Sequence, residues 1–147
     1  MPLIYILTGP NLNLLGTREP EIYGYDTLKD VEQLCAETAS NHGFKVDCRQ
    51  SNYEGDLVTW IQEAITKADA LIINAAAYTH TSIAIYDALK MLDCPIVEVH
   101  FSDPHQRENF RYHSYISLVA NKIIKGKGKQ GYIEAIDYIA DCLKSSN

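Results

Sequence analysis

Five short strand-like segments, most of them followed by a stretch with helical spacing, constrain this chain more than any other feature of its sequence. Leu3-Ile4-Tyr5-Ile6-Leu7 is a continuous apolar run closed by Thr8-Gly9-Pro10, which reads as a strand buried on both faces. After a loop, Thr27 is an N-cap candidate with Asp30 three residues on. Leu28, Val31, Leu34, Cys35 and Thr38 then keep a helical spacing as far as His42-Gly43. The alternation repeats with a strand over 44–49, a helix over 56–68, a strand over 70–74, a helix over 81–92 and a strand over 95–100. A less regular stretch runs through Val119. Lys122-Ile123-Ile124-Lys125 then makes a fifth strand, and Tyr132, Ile133, Ile136, Ile139, Ala140 and Leu143 draw a last amphipathic helix.

Repeated β-α units predict an α/β protein with a doubly wound parallel sheet covered on both sides. With five strands, the flavodoxin-like order 2-1-3-4-5 is the natural one. No repeat, low-complexity tract or linker divides the chain, so residues 1–147 are read as a single catalytic domain. In that order strands 1, 3 and 4 are neighbours, and their carboxyl ends carry Asn11, Asn74 and His100. Ligands bind in such folds at this switch point. The formal net charge of −6 argues against a nucleic-acid or anionic-membrane partner. Cys35, Cys48, Cys94 and Cys142 form no C-x-x-C and read as reduced, partly buried thiols. The N-terminal residues lack the pattern of a signal peptide and no run approaches 18 apolar residues, which makes a cytoplasmic location the expectation.

The segment from Gly9 to Gly24 is too long for an ordinary βα connection and reads as a lid or binding loop, with Gly16 and Gly24 as hinges. Arg18 and Tyr23 lie between them. A guanidinium beside a phenol lowers its pKa, and a shift of two to three units from pH ~10 takes roughly 3 to 4 kcal/mol. The plainer alternative pairs Arg18 with Glu19 or Glu21 in a solvated loop. Glu98 and His100 lie two apart on a strand and so point to one face, where the carboxylate orients the imidazole as a general acid. A strand-end histidine capped by a carboxylate for structural reasons is the alternative. A zinc site from His80, His100, Asp87 and Glu98 has the residue types but no tight ligand spacing. Asn74 to Ser82 runs from a strand end to a helix start, with Thr79 or Thr81 as caps and His80 able to bind hydroxyls. Gly126-Lys127-Gly128-Lys129-Gln130-Gly131 formally matches G-x-G-x-x-G, but it follows the last strand and reads as a tight crossover; phosphate capture by its lysines is the alternative.

Taken together, these segments resemble the type II 3-dehydroquinate dehydratase (type II dehydroquinase) family over nearly the whole chain, from Thr8 to Tyr132. The motifs are Gly9 to Gly16, Arg18-Glu19-Pro20, Tyr23-Gly24, Gln50-Ser51-Asn52, Glu54-Gly55, Asn74 to Ser82 and Asp87-Ala88-Leu89. They continue with Glu98-Val99-His100, Arg107-Glu108, Phe110-Arg111, His113-Ser114-Tyr115 and Gly126 to Tyr132. The resemblance implies a hydro-lyase that converts 3-dehydroquinate to 3-dehydroshikimate by anti elimination through an enolate, in the shikimate pathway or in quinate breakdown. By resemblance, Tyr23 is the base, Arg18 holds its ionised form, Asn11 positions a water on the enolate, and His100 oriented by Glu98 is the acid. Asn74, His80, Arg111 and the Phe101-Ser102 backbone bind substrate, and Asp87 completes the pocket from a neighbouring subunit. The resemblance further implies a homododecamer, a tetramer of trimers, with no metal, cofactor or Schiff-base lysine.

Four positions depart from the family's usual pattern. Ala75-Ala76 stands where the family usually has Pro-Gly or Ala-Gly, so a turn needing positive φ there would be strained. Asp103, followed by Pro104, stands in place of the usual asparagine, and an aspartate beside a carboxylate-binding loop would weaken substrate affinity through like-charge repulsion. Tyr112 replaces a common histidine, and Thr8 a frequent asparagine. A flavin or phosphoryl-transfer module of the same fold is the competing class. It would need a Ser/Thr-rich loop or clustered acids after strand 1, and neither is present.

Overall fold

The structure is a computed structural model that describes residues 1–17 and 19–145, with Tyr23 described by its backbone alone. Five parallel strands form one sheet: β1 (Leu3–Thr8), β2 (Lys45–Gln50), β3 (Ala70–Asn74), β4 (Ile96–His100) and β5 (Lys122–Lys125). Their order is β2-β1-β3-β4-β5, the one expected. β3 and β4 are buried at every residue and β1 at all but its first, which is why β1 and β3 carry apolar runs rather than an alternation, whereas β4 is interrupted by the buried Glu98 and His100.

The helices are α1 (Pro20–Tyr23), α2 (Leu28–Asn41), α3 (Glu54–Lys67), α4 (Ile83–Leu89) and α5 (Gln130–Ser145). Strand residues alternate between two cores. Ile4, Ile6, Ile72, Val97 and Val99 meet α2 and α5, while Tyr5, Leu7, Leu71, Ile73 and Ile96 meet α3 and α4. Helix α2 starts as the sequence predicts: Thr27 Oγ1 accepts from Asp30 N, and the Asp30 carboxylate accepts from Thr27 N. Its buried stripe is Val31, Cys35 and Ala39, so Leu34 and Thr38 lie at the margin of the core rather than in it.

The helix expected over 81–92 is shorter. Residues Ala76–His80 form a 3-10 turn first, and the cap of α4 is Ser82, whose Oγ accepts from Ile85 N at 2.9 Å. Neither Thr79 nor Thr81 takes that role; Thr79 is fully buried within the 3-10 turn. None of the four cysteines is joined in a disulfide.

Candidate active site

The carboxyl ends of β1, β3 and β4 are brought together by close packing of backbone. Thr8 pairs with Asn74, and Gly9 N donates to Asn74 O at 2.9 Å. A Cβ on Gly9 would sit 2.5 Å from the Ala75 carbonyl oxygen, so only glycine allows this approach. Two residues later Asn11 adopts the left-handed conformation, φ 72°, which asparagine tolerates better than most side chains. Its N–H donates to Asn52 Oδ1 at 3.0 Å, an oxygen that also accepts from Gln50 Nε2, while Tyr78 Oη donates to the Asn52 carbonyl. The Gln50-Ser51-Asn52 segment thus serves as a platform under Asn11. Asn74 is buried, its Oδ1 accepting from Ala76 N at 3.1 Å and its side chain also hydrogen-bonded to the buried Tyr132 hydroxyl. The strain anticipated at Ala75-Ala76 falls on Ala76 alone, at φ 52°; Ala75 is ordinary at φ −78°.

A cavity of about 240 Å³ opens above these strand ends. Asn11, Asn74, His80, His100, Arg107 and Arg111 line it, together with Phe101 and Ser102. Glu98 does not line this cavity; it lies behind His100, 1 % exposed, with Oε2 2.5 Å from His100 Nε2. Ser114 Oγ donates to the same oxygen at 2.8 Å, and Ser117 Oγ donates to Oε1. Burial pushes the Glu98 carboxyl up, but the imidazole's hydrogen bond and charge and the two serine hydroxyls outweigh it and hold the group below its ordinary value. An ionised carboxylate only accepts, so His100 Nε2 carries a proton and Nδ1 is the nitrogen left for exchange. His80 has the opposite arrangement. Its Nδ1 lies 2.8 Å from the His113 carbonyl oxygen and must donate, which leaves Nε2 as an acceptor. Burial lowers the His80 pKa against that carbonyl and favours the neutral ring.

Arg111 Nε donates to Glu108 Oε1 at 3.0 Å, and its guanidinium lies 5.1 Å from the Phe110 ring centroid. Arg111 and Arg107 give the cavity a cationic wall with several N–H donors. The carbonyls of His100, Phe101 and Ser102 are occupied by the N–H groups of Gly126 and Gly128. Asp103 caps the turn beyond, its Oδ1 accepting from His105 N and lying 3.9 Å from Lys125 Nζ.

Of the lid residues, Arg18 falls outside the described residues, and Tyr23 ends α1. Glu21 and Ile22 of α1 border a second depression that shares Phe101, Ser102 and Arg107 with the cavity. Gly16, at φ 93°, lets the chain pass so close to Tyr25 and Asp26 that a Cβ would meet the Tyr25 oxygen at 2.9 Å. The lysines of the glycine-rich crossover are engaged, Lys129 with Asp26 and Lys127 with Glu134. Asp87 is exposed on α4 and does not line the cavity of its own chain. Among the described residues, no three His, Cys, Asp or Glu side chains are grouped as metal ligands.

Sequence reasoning assigned no role to Arg107, Ser114 or Ser117. The first two lie inside motifs that carry the resemblance, but nothing in the spacing shows what they face; Ser117 has no local signal.

Residues 2–140 match the Dehydroquinase class II family. The chain belongs to that family. It is 60 % identical over 138 residues to a 3-dehydroquinate dehydratase of Streptomyces avermitilis, covering 93 % of this chain and 87 % of the relative. A 3-dehydroquinate dehydratase of Bartonella bacilliformis is 57 % identical over 142 residues, with 97 % and 90 % covered. The crystal structure of a type II dehydroquinase from Propionibacterium acnes superposes with a TM-score of 0.93 at 40 % identity, covering 96 % of this chain and 97 % of that one. Membership of the class II dehydroquinases accounts for the order in which the motifs occur and for their meeting at one switch point.

Proposed function

We propose that the chain is a hydro-lyase that dehydrates 3-dehydroquinate to 3-dehydroshikimate by anti elimination through an enolate, with residues 1–147 acting as one catalytic domain. The named activity of the relatives supports the substrate. The observation that carries the chemistry is a histidine whose proton is held by a buried carboxylate, at the wall of a cavity that also presents Asn11 and two arginines.

In this reading Tyr23, as a phenolate kept ionised by Arg18, removes a proton from the carbon between the ketone and C1. The electron pair moves onto the ketone oxygen, where a water positioned by Asn11 stabilises the oxyanion. Collapse of the enolate restores the ketone, forms the ring double bond and expels the C1 hydroxyl, which takes a proton from His100 and leaves as water. Asn74 and Arg111 hold substrate hydroxyls, as does His80 through its Nε2 lone pair. The Phe101 and Ser102 N–H groups take the carboxylate, their carbonyls being already engaged. Closure of the lid excludes water from the enolate.

The direct test is ultraviolet detection of enone formation from 3-dehydroquinate by purified protein with EDTA present; no enone would end the proposal. Borohydride leaves the enzyme active, since no lysine Schiff base forms. Tyr23→Phe and Arg18→Ala each abolish turnover, and full activity in either removes the lid from the mechanism. His100→Ala lowers kcat by roughly 10²–10⁴ with a smaller change in KM, as expected for a general acid.

Asp87 completes the pocket of a second copy in a homododecamer built as a tetramer of trimers. Its exposure on α4 supports that role, and the exposed apolar side chains Phe110 (69 %), Leu118 (64 %), Tyr112 and Ile123 supply surface for assembly. Sedimentation at the mass of a single chain would remove this part of the reading. The location is cytoplasmic, supported by four cysteines that form no disulfide. No helix among the described residues is long and apolar enough to cross a membrane.

A further inference from the structure

We propose that Ser114 and Ser117 are positioning residues, which hold the Glu98 carboxylate and through it the His100 imidazole in the orientation that the departing hydroxyl requires. The inference rests on the dehydratase reading above and adds to it the part of the chain that sets the acid.

Glu98 has both oxygens committed. Oε2 meets His100 Nε2 at 2.5 Å and Ser114 Oγ at 2.8 Å, and Oε1 accepts from Ser117 Oγ. At 1 % exposure the carboxylate is largely withdrawn from bulk water, so a lost donor costs more than it would at the surface. The two hydroxyls come from one short segment that is itself fixed at several points. Ser114 Oγ accepts from Ser117 N at 3.1 Å, Tyr115 N donates to Thr79 O at 3.0 Å, and the Ile116 side chain is fully buried against the core of α3 and α4. The same segment presents the His113 carbonyl that sets the His80 tautomer. Five consecutive residues therefore govern both pocket histidines.

The chemical consequence follows from competition for one proton. A carboxylate that accepts from two hydroxyls is a weak base, so it leaves the Nε2 proton on the imidazole, and the proton passed to the leaving oxygen is the one carried on Nδ1. Without the hydroxyls, Glu98 would keep its burial and lose the donors that oppose it. The charged and titratable groups around the pair are His80, Arg111, His105, Tyr112 and Lys125, which line the depression on its outer side. All of them persist in the serine variants, so a displaced pH profile reports the hydroxyls.

The test compares Ser117→Ala, Ser114→Ala, the double variant and the two threonine variants, which keep a hydroxyl. Each hydroxyl contributes a hydrogen bond to a charged group, so kcat is expected to fall roughly tenfold per alanine and about a hundredfold in the pair. KM stays within about twofold, because neither serine is placed against substrate. The acid limb of the kcat profile moves to higher pH, since a carboxyl without its donors protonates sooner, and threonine restores both rate and limb. Unchanged kcat and limb in the double variant overturn the proposal. So does a loss that threonine fails to restore and that tracks a lower urea midpoint, the mark of a merely structural segment. Nitrogen NMR of His100 in ligand-free protein separates this inference from the dehydratase reading. An inactive wild type would sink the reading, whereas a His100 tautomer and titration unaltered in the double variant would sink the clamp.

Discussion

His80 and His100 stand at one cavity with opposite hydrogen-bonding assignments, and the partner behind each ring explains the difference. A carbonyl can only accept and leaves His80 neutral with its lone pair forward; an ionised carboxylate takes the Nε2 proton of His100 in a hydrogen bond and leaves its Nδ1 for exchange. The pairing of Glu98 with His100 was legible from strand periodicity alone, because residues two apart share a face. The serines were not, being 16 and 19 residues from Glu98 in the chain, on a segment with no regular pattern. Ala76 shows the reverse case, where a family habit flagged strain and the backbone carries it at φ 52°. A left-handed alanine costs about 1–2 kcal/mol, and glycine gives back about 0.5–1 in chain entropy. Ala76→Gly is therefore expected to raise stability by about 0.5–1 kcal/mol, read as a higher urea midpoint. A lower midpoint would mean that the methyl group's packing against the α2 and α5 core outweighs the relief of strain.

Among the elements, α2 and α4 differ in how well their ends were foreseen. The start of α2 carries a reciprocal pair of local bonds, so four consecutive residues sufficed to place it. Thr27→Ala removes the acceptor for Asp30 N and is expected to cost about 1 kcal/mol in thermal or urea unfolding. A cost near zero would show that packing of Val31, Cys35 and Ala39 alone places the helix end. Before α4 the sequence offers Thr79, Thr81 and Ser82 in close succession, and a local rule cannot choose among them. The choice falls on Ser82 because the 3-10 turn over Ala76–His80, with Thr79 buried inside it and Thr81 closing it, takes up the earlier residues and places His80 at the cavity. The glycine-rich crossover is settled likewise by distant partners, Glu134 and Asp26, that occupy its lysines.

At the scale of the molecule, the titrating groups set a direction for stability against pH. The His80 pKa is lowered from its ordinary 6.5, so below that value the unfolded chain binds a proton that the folded one refuses, and stability falls as pH drops. Glu98, Glu63, Glu108 and Asp30 are held below their ordinary values, so what they contribute is present above the unfolded carboxyl range and is lost as pH falls through their folded values. Glu32, raised by burial, acts in the opposite sense, destabilising at neutral pH and recovering on acidification. Four depressed carboxyls and a depressed histidine against one raised carboxyl predict a urea midpoint that declines from pH 7 to pH 5 and more steeply below. A midpoint that rises over that interval would mean Glu32 outweighs the rest.

The sequence by itself determined the fold class, the strand order and the residues at the strand ends, because hydrophobic periodicity and chain connectivity are local properties that a parallel sheet converts into position. It also carried the family, through motifs spread from Thr8 to Tyr132. Tertiary structure alone decided which side chains stand behind the functional ones: the serines on Glu98, the His113 carbonyl on His80, and the Asn52 platform under Asn11. Those contacts join residues distant in the chain through irregular segments, where no period relates spacing to direction.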